Sequence, residues 1–574
     1  MSVEEAFKAY ASRPWLRHYD DGVPSDVEVP EKPLYWILEE AAKRFPDRTA
    51  LYFYGYRMTY RELLEAARRF AGYLKSRGIG RGDVVGLFLP NSPMFAIAYY
   101  GTLMAGATVS PMNVLYGPAL IRHQLEDNRA RILVAIDLFR DKILSGAPDS
   151  VEEILWTGIQ DYLPGVKAFL YKLKAKPPKP PVDGGRHKLF KQVLSQARPI
   201  EKPAEVDPRE DIAALMYTGG TTGVPKGAEL THYNLLANVV QIDAWYKRGV
   251  KGVDTFIGAL PWFHIYGQTA VLNVGVYKAA TIIVFARWDT EEVMKAIHKH
   301  KANVFHGVPL MYIAIINHPK VRKYNLRTLE VCISGAAPLP VAVRERFEKL
   351  TGAKLREGYG LTETSPVTHV NPILGEARSG SIGLPVPSTL AAVAKVDAPE
   401  LLPPGEVGEL VISGPQVMKQ YHNMPEENEK VFFECCGRRW LRTGDIAKMD
   451  DDGYFYIVDR KKDIIKYKGY SLYPREIEEV LYKHPCVKEA AVIGVPHPEY
   501  FEVPKAFIVL KEECKGKVTP EEIREWAKKQ LGEVKYPRIV EFRDDLPKTA
   551  VGKILRRVLR EEELRKAREG GGQS

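Results

Sequence analysis

Residues 217–227 combine the residue types that hold a polyphosphate. Glycines let the backbone adopt positive φ and turn its N–H groups inward, which forms an anion-binding concavity. Threonine hydroxyls add donors, and Lys226 adds a full positive charge. The segment is not a Walker A loop, because Pro225 precedes the lysine and Gly227 follows it, where that motif has Ser or Thr opening a helix. A surface turn needs only one or two glycines. The predicted phosphate-binding residues are Thr218, Gly219, Gly220, Thr221, Thr222, Gly223 and Lys226.

A second glycine-rich run occupies residues 358–364. Gly358 and Gly360 flank Tyr359, so the tyrosine ring can lie on a flat base that approaches the backbone closely. Glu363 offers a hard carboxylate oxygen, the ligand type of Mg²⁺ bound together with phosphates. A plain glycine-rich turn is the alternative interpretation.

Asp445 and His264 are candidates of a weaker kind. A fixed carboxylate such as Asp445 can accept two hydroxyl donors at once, although a turn aspartate would look the same. His264 lies among aromatic residues and can orient a carboxylate, with a buried, hydrogen-bonded histidine as an equal alternative. Residues 335–337 are small and follow an apolar strand, so the backbone there can pass close to a ligand.

Basic residues concentrate near the C-terminus. Arg460, Lys462 and Lys466 follow an apolar strand, and a solvated basic cluster is the alternative interpretation for Lys461, Lys466 and Lys468. Lys553 follows Gly552, but lysines are abundant in this chain and composition alone does not select it.

Five motifs in sequence order resemble the adenylate-forming superfamily of acyl-CoA synthetases, luciferases and peptide-synthetase adenylation domains. The resemblance covers roughly residues 30 to 565 and rests on residues 217–227, 358–364, 440–445, 460–470 and 547–554. Gly219 stands where many relatives have serine, but glycine is known there among fatty acyl-CoA synthetases. The runs at 380–388 and 540–548 resemble bacterial long-chain fatty acyl-CoA synthetases and favour a fatty acid substrate.

The resemblance implies a role for each candidate residue. Tyr359 contacts adenine, Asp445 binds the ribose hydroxyls, Glu363 holds Mg²⁺ beside Thr362 in the activating centre, and Lys553 offsets charge during adenylation. His264 lies near the acyl tunnel, and the loop at Gly469 lines the pantetheine path. The remaining residues border the adenine and acyl pockets (Gly335, Ala336, Ala337, Gly358, Gly360) or form the hinge (Arg460, Lys462, Lys466).

The activity implied is ATP-dependent ligation of a carboxylic acid to CoA through an acyl-adenylate, with release of AMP and pyrophosphate. The cofactors expected are ATP, Mg²⁺ and CoA as co-substrate, and a medium- to long-chain fatty acid is the favoured substrate. Two alternatives stay open: an aryl-acid ligase of the 4-coumarate type, and a non-catalytic acyl or nucleotide sensor on the same fold.

The elements that position these residues alternate between helices and short apolar strands. A chain of 574 residues is too long for one core, and the alternation up to about residue 460 predicts α/β layers with largely parallel sheets. We expect a large N-terminal domain, residues 1–459, of α/β subdomains. Residues 460–574 are expected to form a small α+β domain with the hinge and Lys553. The resemblance adds a distorted barrel to the first domain and mobility to the second.

The net charge and the cysteine content limit the classes of partner and the cellular compartment that we expect. A net charge of +10 suits polyanions such as ATP and CoA, and no nucleic-acid motif accompanies it. The cysteine count of 5 is odd and lacks a CxxC pair, and the N-terminus does not resemble a signal peptide, which together predict a reducing cytoplasm. Monomer and homodimer both stay open.

Residues 167–186 raise the question of a membrane. Residues 172–186 are rich in lysine and proline and predict an exposed, non-helical segment. Phe169, Leu170 and Leu173 alternate with lysines just before and within it, which predicts either a solvated loop or a patch that contacts the inner face of an anionic membrane.

Overall fold

The computed structural model describes residues 2–218, 225–246, 251–468, 470–497, 499–549 and 554–570. The chain divides into two compact units. The larger contains Trp15–Leu390 and Ile412–Phe432, and the smaller contains Met1–Pro14, Ala391–Val411 and Phe433–Ser574. The mixed α/β architecture, with a large N-terminal and a small C-terminal domain, confirms the predicted fold class. The predicted boundary at residue 460 stays a prediction.

The described α-helices are as follows in chain order. They are α1 Val3–Ala11, α2 Trp36–Arg44, α3 Tyr60–Ser76, α4 Pro93–Met104, α5 Pro118–Asp127, α6 Arg140–Gly146, α7 Gly165–Ala175, α8 Phe190–Gln196, α9 His232–Tyr246, α10 Val274–Tyr277, α11 Thr290–His300, α12 Pro309–Ile316, α13 Val341–Thr351, α14 Pro425–Val431, α15 Pro474–Leu481, α16 Pro520–Lys535 and α17 Arg556–Gly570.

The described strands build four sheets. They are β1 Thr49–Phe53, β2 Tyr56–Thr59, β3 Val84–Phe88, β4 Thr108–Pro111, β5 Ile132–Ile136, β6 Glu153–Thr157, β7 His187–Leu189, β8 Ile212–Thr218, β9 Lys226–Thr231, β10 Thr255–Gly258, β11 Thr281–Val284, β12 Val304–Gly307, β13 Val331–Ser334, β14 Lys354–Gly360, β15 Val367–Val370, β16 Leu384–Pro385, β17 Leu390–Ala394, β18 Gly408–Ser413, β19 Gln420–Tyr421, β20 Phe432–Cys435, β21 Arg438–Met449, β22 Phe455–Arg460, β23 Ile465–Tyr467, β24 Tyr470–Leu472, β25 Val487–His497, β26 Phe501–Leu510 and β27 Ile539–Phe542.

Two mainly parallel sheets form the larger unit. One has the strand order β16-β15-β14-β13-β12-β10-β11-β1-β2, and the other has the order β19-β9-β8-β4-β3-β5-β6-β7. The central pairs of both sheets are parallel, whereas β1–β2, β14–β15, β15–β16, β8–β9 and β9–β19 are antiparallel. Parallel neighbours need a crossover between them, and helices supply most of these crossovers, as the alternating sequence pattern predicts.

Helices α3 and α4 show how local sequence sets these elements. The Thr59 hydroxyl accepts the Glu62 N–H at 3.2 Å and the Glu62 carboxylate accepts the Thr59 N–H at 2.7 Å, and together these bonds form a capping box. Ser92 caps α4, and Pro93 occupies its first turn. Every residue of α4 is buried, so its apolar run is a core helix. Among the described residues, no helix is both long enough and apolar enough to span a bilayer.

Two further sheets belong mostly to the smaller unit. The first has the order β17-β18-β21-β20 with β22 paired to β21, and only Leu390, Ile412, Ser413 and Phe432 of it fall in the larger unit. The second has the order β24-β23-β26-β25 with β27 paired to β26, and α15 and α16 accompany it. This mixture of helices and mainly antiparallel strands confirms the α+β character predicted for the C-terminal region.

The prediction that residues 172–186 are non-helical is wrong at its N-terminal end. Helix α7 continues to Ala175, and Lys176 ends it with a left-handed φ of 43°. The lysine-rich sequence supports a helix up to the point where Pro177 excludes the helical conformation from the residue before it.

A disulfide joins Cys486 to Cys514, whose Cα atoms lie 5.4 Å apart. The cysteine pattern predicted a reducing compartment, which the disulfide does not support, and the compartment stays a prediction. The count cannot show that β25 starts beside the end of β26, where the Lys511 N–H donates to the Cys486 carbonyl at 3.0 Å. Cys332, Cys435 and Cys436 are free.

Candidate active site

The predicted phosphate loop lies between two antiparallel strands. Strand β8 ends at Thr218 and β9 begins at Lys226, and these two residues face each other in the ladder. Five predicted phosphate-binding residues lie outside the described residues: Gly219, Gly220, Thr221, Thr222 and Gly223. The two described ends of the loop therefore face each other across the β8–β9 pair.

Lys226 contacts a carboxylate that the sequence did not single out. Its ammonium group binds the carboxylate of Glu427 on α14 and lies 5.3 Å from the centre of the Tyr421 ring. The lysine side chain is only 11 % exposed, and the glutamate side chain is 26 % exposed. The hydrogen bond from Lys226 lowers the pKa of Glu427, so this carboxylate is held in its charged form.

Tyr421 connects Lys226 to Glu363. The Tyr421 hydroxyl donates to Glu363 Oε1 at 2.5 Å, and the Met418 N–H donates to the Glu363 carbonyl at 2.8 Å. Burial, and then the neighbouring Glu363 carboxylate, raise the pKa of Tyr421, so the hydroxyl keeps its proton. One aromatic side chain thus touches both the candidate phosphate ligand and the candidate magnesium ligand.

The segment that carries Tyr421 and Glu427 is fixed on both sides. Strand β19 pairs with β9, with Tyr421 opposite Ala228. The Asn428 side chain accepts the Tyr421 N–H at 2.7 Å and donates to the Tyr421 carbonyl at 2.9 Å, which ties α14 to β19. Sequence reasoning missed Tyr421 and Glu427, because the pairing of β19 with β9 joins residues almost two hundred positions apart and no local motif marks it.

The other candidates of the larger unit follow the carboxyl ends of neighbouring parallel strands. His264 follows β10, residues 335–337 follow β13, and Tyr359 lies near the end of β14, and β10, β12, β13 and β14 are successive neighbours in the sheet. Ligands of open α/β sheets bind at this edge. The Tyr266 hydroxyl donates to the Ile333 carbonyl at 3.0 Å, which joins the His264 segment to the end of β13.

Close packing explains the glycines at this edge. A Cβ on Gly335 would lie 2.9 Å from the Tyr266 ring, and a Cβ on Gly360 would lie 1.9 Å from the Pro366 carbonyl oxygen. Ala336 adopts a left-handed φ of 66°. These residues therefore have a structural requirement for small size, besides the closeness to ligand that the sequence predicted.

Tyr359 and His264 are both accessible in part. The Tyr359 ring packs edge-on against His369 with 6.0 Å between ring centres. His264 Nδ1 accepts the Tyr266 N–H at 3.3 Å. His264 is partly exposed, so it is not the fully buried histidine of the alternative interpretation. Ala337, Gly358 and Thr362 are described as well, and Thr362 opens the short helix Thr362–Thr364 that carries Glu363.

In the smaller unit, the structure brings Asp445, Arg460 and Lys462 together. Asp445 and Arg460 face each other between β21 and β22, with 3.3 Å from Arg460 Nε to Asp445 Oδ1. Burial by the surrounding protein, and then the Arg460 cation, lower the pKa of Lys462 to about 8, although solvent still reaches its side chain. The Lys466 N–H donates to Glu502 Oε2 at 2.9 Å, and its side chain is exposed. Gly469 and Lys553 lie outside the described residues.

A buried charge cluster flanks Lys462. Arg556 of α17 contacts Glu478, Asp459 and Asp463 at 2.5, 3.4 and 3.1 Å. The Arg475 N–H donates to Asp459 at 2.6 Å. Burial raises the pKa of Glu478 in spite of its contact with Arg556. No local sequence pattern indicates this cluster, because its members come from four separate elements.

The donor set fits a magnesium ion that arrives with its substrate. No group of three His, Cys, Asp or Glu side chains that could hold a metal occurs among the described residues. Mg²⁺ bound to a nucleotide typically needs only one or two carboxylates, because phosphates and water complete its shell. Glu363 is one such carboxylate, and it is partly exposed.

The comparison with protein families decides the membership of the chain. The AMP-binding enzyme family matches residues 38–422, and the AMP-binding enzyme C-terminal domain matches residues 476–553. The chain belongs to the AMP-binding enzyme family. This confirms the resemblance to the adenylate-forming superfamily.

Curated and solved relatives cover this AMP-binding enzyme almost completely. A long-chain-fatty-acid–CoA ligase of Bacillus subtilis is 44% identical over 558 residues, covering 96% of this chain and 98% of its own. A long-chain-fatty-acid–CoA ligase of Escherichia coli is 38% identical over 564 residues, with the same coverage. The crystal structure of ATP-bound MatB from Rhodopseudomonas palustris is similar with a TM-score of 0.80 at 28% identity, covering 92% of this chain and 99% of that one.

Proposed function

We propose that this AMP-binding enzyme is an ATP-dependent fatty acid–CoA ligase. It joins a medium- to long-chain fatty acid to CoA and releases AMP and pyrophosphate. The near-full-length match to long-chain-fatty-acid–CoA ligases carries this proposal. The geometry around Tyr421 supports it, because a phosphate-binding lysine and a magnesium-binding carboxylate meet at one side chain.

In the first step the fatty acid carboxylate attacks the α-phosphorus of ATP and displaces pyrophosphate. Residues 218–226 bind the β- and γ-phosphates, and Lys226 exchanges its contact with Glu427 for a phosphate oxygen. Tyr359 packs on adenine, beside the small residues 335–337. Asp445 accepts the ribose hydroxyls. Lys553 offsets the charge that develops at the α-phosphate.

Glu363 would hold the magnesium ion that accompanies ATP. When bound, the ion would supply positive charge that offsets the charge of the phosphates. The Tyr421 hydroxyl fixes one carboxylate oxygen of Glu363, which leaves the other oxygen for the metal. His264, at the same sheet edge, orients the fatty acid carboxylate.

In the second step the CoA thiol attacks the acyl-adenylate and AMP leaves. We propose that residues 460–574 act as a domain separate from residues 1–459 and rotate about Lys462 between the two steps. Rotation carries Lys553 away and brings the loop at Gly469 to the site, so that one active site serves two reactions. Arg460 and Lys466 belong to this hinge segment.

Pyrophosphate release across a panel of acids tests the function. MgATP is supplied with acetate, octanoate, palmitate or 4-coumarate, each with and without CoA. Release with octanoate or palmitate, together with CoA-dependent thioester, is expected. Release with 4-coumarate alone would identify an aryl-acid ligase. ATP binding without release for any acid would favour the non-catalytic sensor.

The role of Lys553 is tested in the half-reaction. Lys553→Ala is expected to abolish pyrophosphate release while ATP binding persists. Lys548→Ala, a nearby lysine that contacts Glu489 and Asp545, is the matched control and should retain the reaction. Equal rates for Lys553→Ala and the wild type would remove the central assignment.

We also propose peripheral contact with the inner face of an anionic membrane, where fatty acids concentrate. Light scattering of the purified chain decides between monomer and homodimer.

A further inference from the structure

Helix α7 carries an apolar stripe that no part of the described chain covers. None of its residues is buried. Val166, Phe169, Leu170 and Leu173 are exposed to 76%, 62%, 57% and 57%. Their spacing of three and four residues places all of them on one face of the helix. A surface helix normally turns such a face toward the core, so this orientation is the reverse of the usual one.

The opposite side of the helix fixes this orientation. The Lys167 ammonium donates to the Tyr54 carbonyl at 2.7 Å, and Pro164 lies against Gly55 in the turn between β1 and β2. Just before the helix, Tyr162 is buried and packs edge-on against Tyr56 with 5.5 Å between ring centres. The helix is therefore attached to the larger unit, with its stripe directed outward.

Positive charge surrounds the stripe. Residues 162–182 contain no Asp or Glu, and besides Lys167, which binds the Tyr54 carbonyl, their lysines are Lys172, Lys174, Lys176 and Lys179. The nearby acids have partners of their own: Asp141 contacts Arg140, Asp161 accepts hydrogen bonds from Thr157 and Gly158, and Asp137, which lies near Lys172, accepts one from Gln160. Arg140 also donates to the Lys179 carbonyl at 2.9 Å, which holds the lysine-rich segment close to this surface.

We propose that α7 and the lysine-rich residues 172–179 form a docking surface for an anionic lipid bilayer. The four apolar side chains enter the boundary between headgroups and acyl chains, and the lysines bind lipid phosphates. The combination of an apolar stripe and a lysine-rich segment without acidic residues suits this partner better than a protein face, since lipid phosphates supply a continuous negative surface. The use of this surface rests on the proposed function. A ligase docked in this way takes its fatty acid from the bilayer.

Vesicle co-sedimentation tests the surface without depending on ligase activity. The full-length chain is mixed with vesicles of 3:7 phosphatidylglycerol and phosphatidylcholine, and with pure phosphatidylcholine vesicles. We expect binding to the anionic vesicles at least about ten times stronger than to the neutral ones, and weaker at 0.5 M salt than at 0.1 M salt.

Two variants separate the contributions of the stripe and the lysines. Phe169→Glu with Leu170→Glu is expected to lower vesicle binding at least about tenfold, because it places charge in the apolar stripe. Lys172→Glu with Lys174→Glu is expected to remove the preference for anionic lipid. The matched control is Leu374→Glu, which charges an apolar side chain of similar exposure, 53%, elsewhere in the larger unit. All the positions are exposed, so the fold should persist in each variant.

The outcomes are distinct. Wild-type chain that stays in the supernatant, or stripe variants that sediment like the wild type, would overturn the proposal. Loss of a homodimer in the stripe variant would also overturn it, and would assign α7 to a second copy of the chain. Pyrophosphate release with octanoate, which dissolves without a bilayer, should be unchanged in the stripe variant. A docking failure therefore leaves that rate intact, whereas a failure of the proposed function removes the rate in the wild type as well.

Discussion

Two charged clusters, one in each unit, differ in how many carboxylates contact the cation. In the larger unit each charged candidate ligand has one partner for its charge: Lys226 has the Glu427 carboxylate, and Glu363 has the Tyr421 hydroxyl. In the smaller unit Arg556 contacts the carboxylates of Glu478, Asp459 and Asp463 on elements packed around it.

The difference shows which charges are free to change partners. A charged side chain with a single such partner can exchange it for a phosphate or a metal ion at small cost. A cation that contacts three largely buried carboxylates cannot leave without placing unpaired charges in a low dielectric. The first arrangement suits a ligand site, and the second suits a fixed support beside the hinge segment.

Removal of the Arg556 cation, which three carboxylates share, should have the largest effect, on the stability of the smaller unit. Arg556→Ala leaves carboxylates without a counter-charge and is expected to destabilise the smaller unit by roughly 3–5 kcal/mol. For a unit of this size we expect its thermal midpoint to fall by roughly 10 °C, measured by calorimetry. The control is Arg557→Ala, whose exposed contact with Glu561 should contribute less than about 1 kcal/mol. Equal shifts for both variants would show that the cluster is not the support inferred here.

Removal of the negative charge of Glu363 should have the second-largest effect. Glu363→Gln keeps an oxygen that accepts from the Tyr421 hydroxyl but removes the negative charge offered to Mg²⁺. We expect pyrophosphate release to fall roughly 100-fold, about 2.7 kcal/mol of activation free energy, with an unchanged thermal midpoint. A higher Mg²⁺ concentration should restore part of the rate. A rate within twofold of the wild type would remove Glu363 from the metal site.

Removal of the Glu427 charge should strengthen ATP binding, whereas the two preceding substitutions cause a loss. Glu427→Gln removes the anion that competes with ATP for Lys226, so we expect the Kd of ATP to fall roughly fivefold, about 1 kcal/mol. Glu426→Gln, on the same helix and exposed, should leave the Kd unchanged. Calorimetric titration measures both variants. Weaker ATP binding in Glu427→Gln would show that Glu427 supports the ligand and does not compete with it.

The smallest effect should appear in the pH dependence of stability. His422 Nδ1 lies 2.7 Å from Glu229 Oε1, and this hydrogen bond raises the pKa of His422. Since the folded pKa exceeds the unfolded one, the stabilisation is fully present below the unfolded pKa and disappears as the pH rises through the folded pKa. We therefore expect His422→Gln to lower the unfolding free energy more at pH 5.5 than at pH 8.5, by up to about 1 kcal/mol. Urea titrations at both pH values measure this, and an effect independent of pH would contradict it.

Local patterns predicted the elements of this chain more reliably than its contacts. The alternation of helices and short apolar strands depends on residues a few positions apart, and the structure confirms it. The family of the chain was also predictable, because five motifs occur in order. The roles of Lys553, Asp445 and the other candidate residues stay predictions.

The contacts that the sequence did not predict join residues that are far apart in the chain. Tyr421 and Glu427 reach Lys226 through the pairing of β19 with β9, and Arg556 meets carboxylates from three other elements. The disulfide between Cys486 and Cys514 depends on where two strands end. The outward stripe of α7 has the spacing of a core-facing helix, and only the attachment at Tyr54 shows which side faces the protein.

The early position of helix α1 in the chain affects when it can pack during protein synthesis. It belongs to the smaller unit with Ala391–Val411, and its Tyr10 is fully buried close to the backbone of Val393. Roughly 380 residues separate the helix from that segment, so at about 5–20 residues per second the ribosome needs roughly 20–80 s to supply it. During that interval the apolar face of α1 has no native partner from its own unit, and a chaperone that binds nascent chains has the opportunity to hold it.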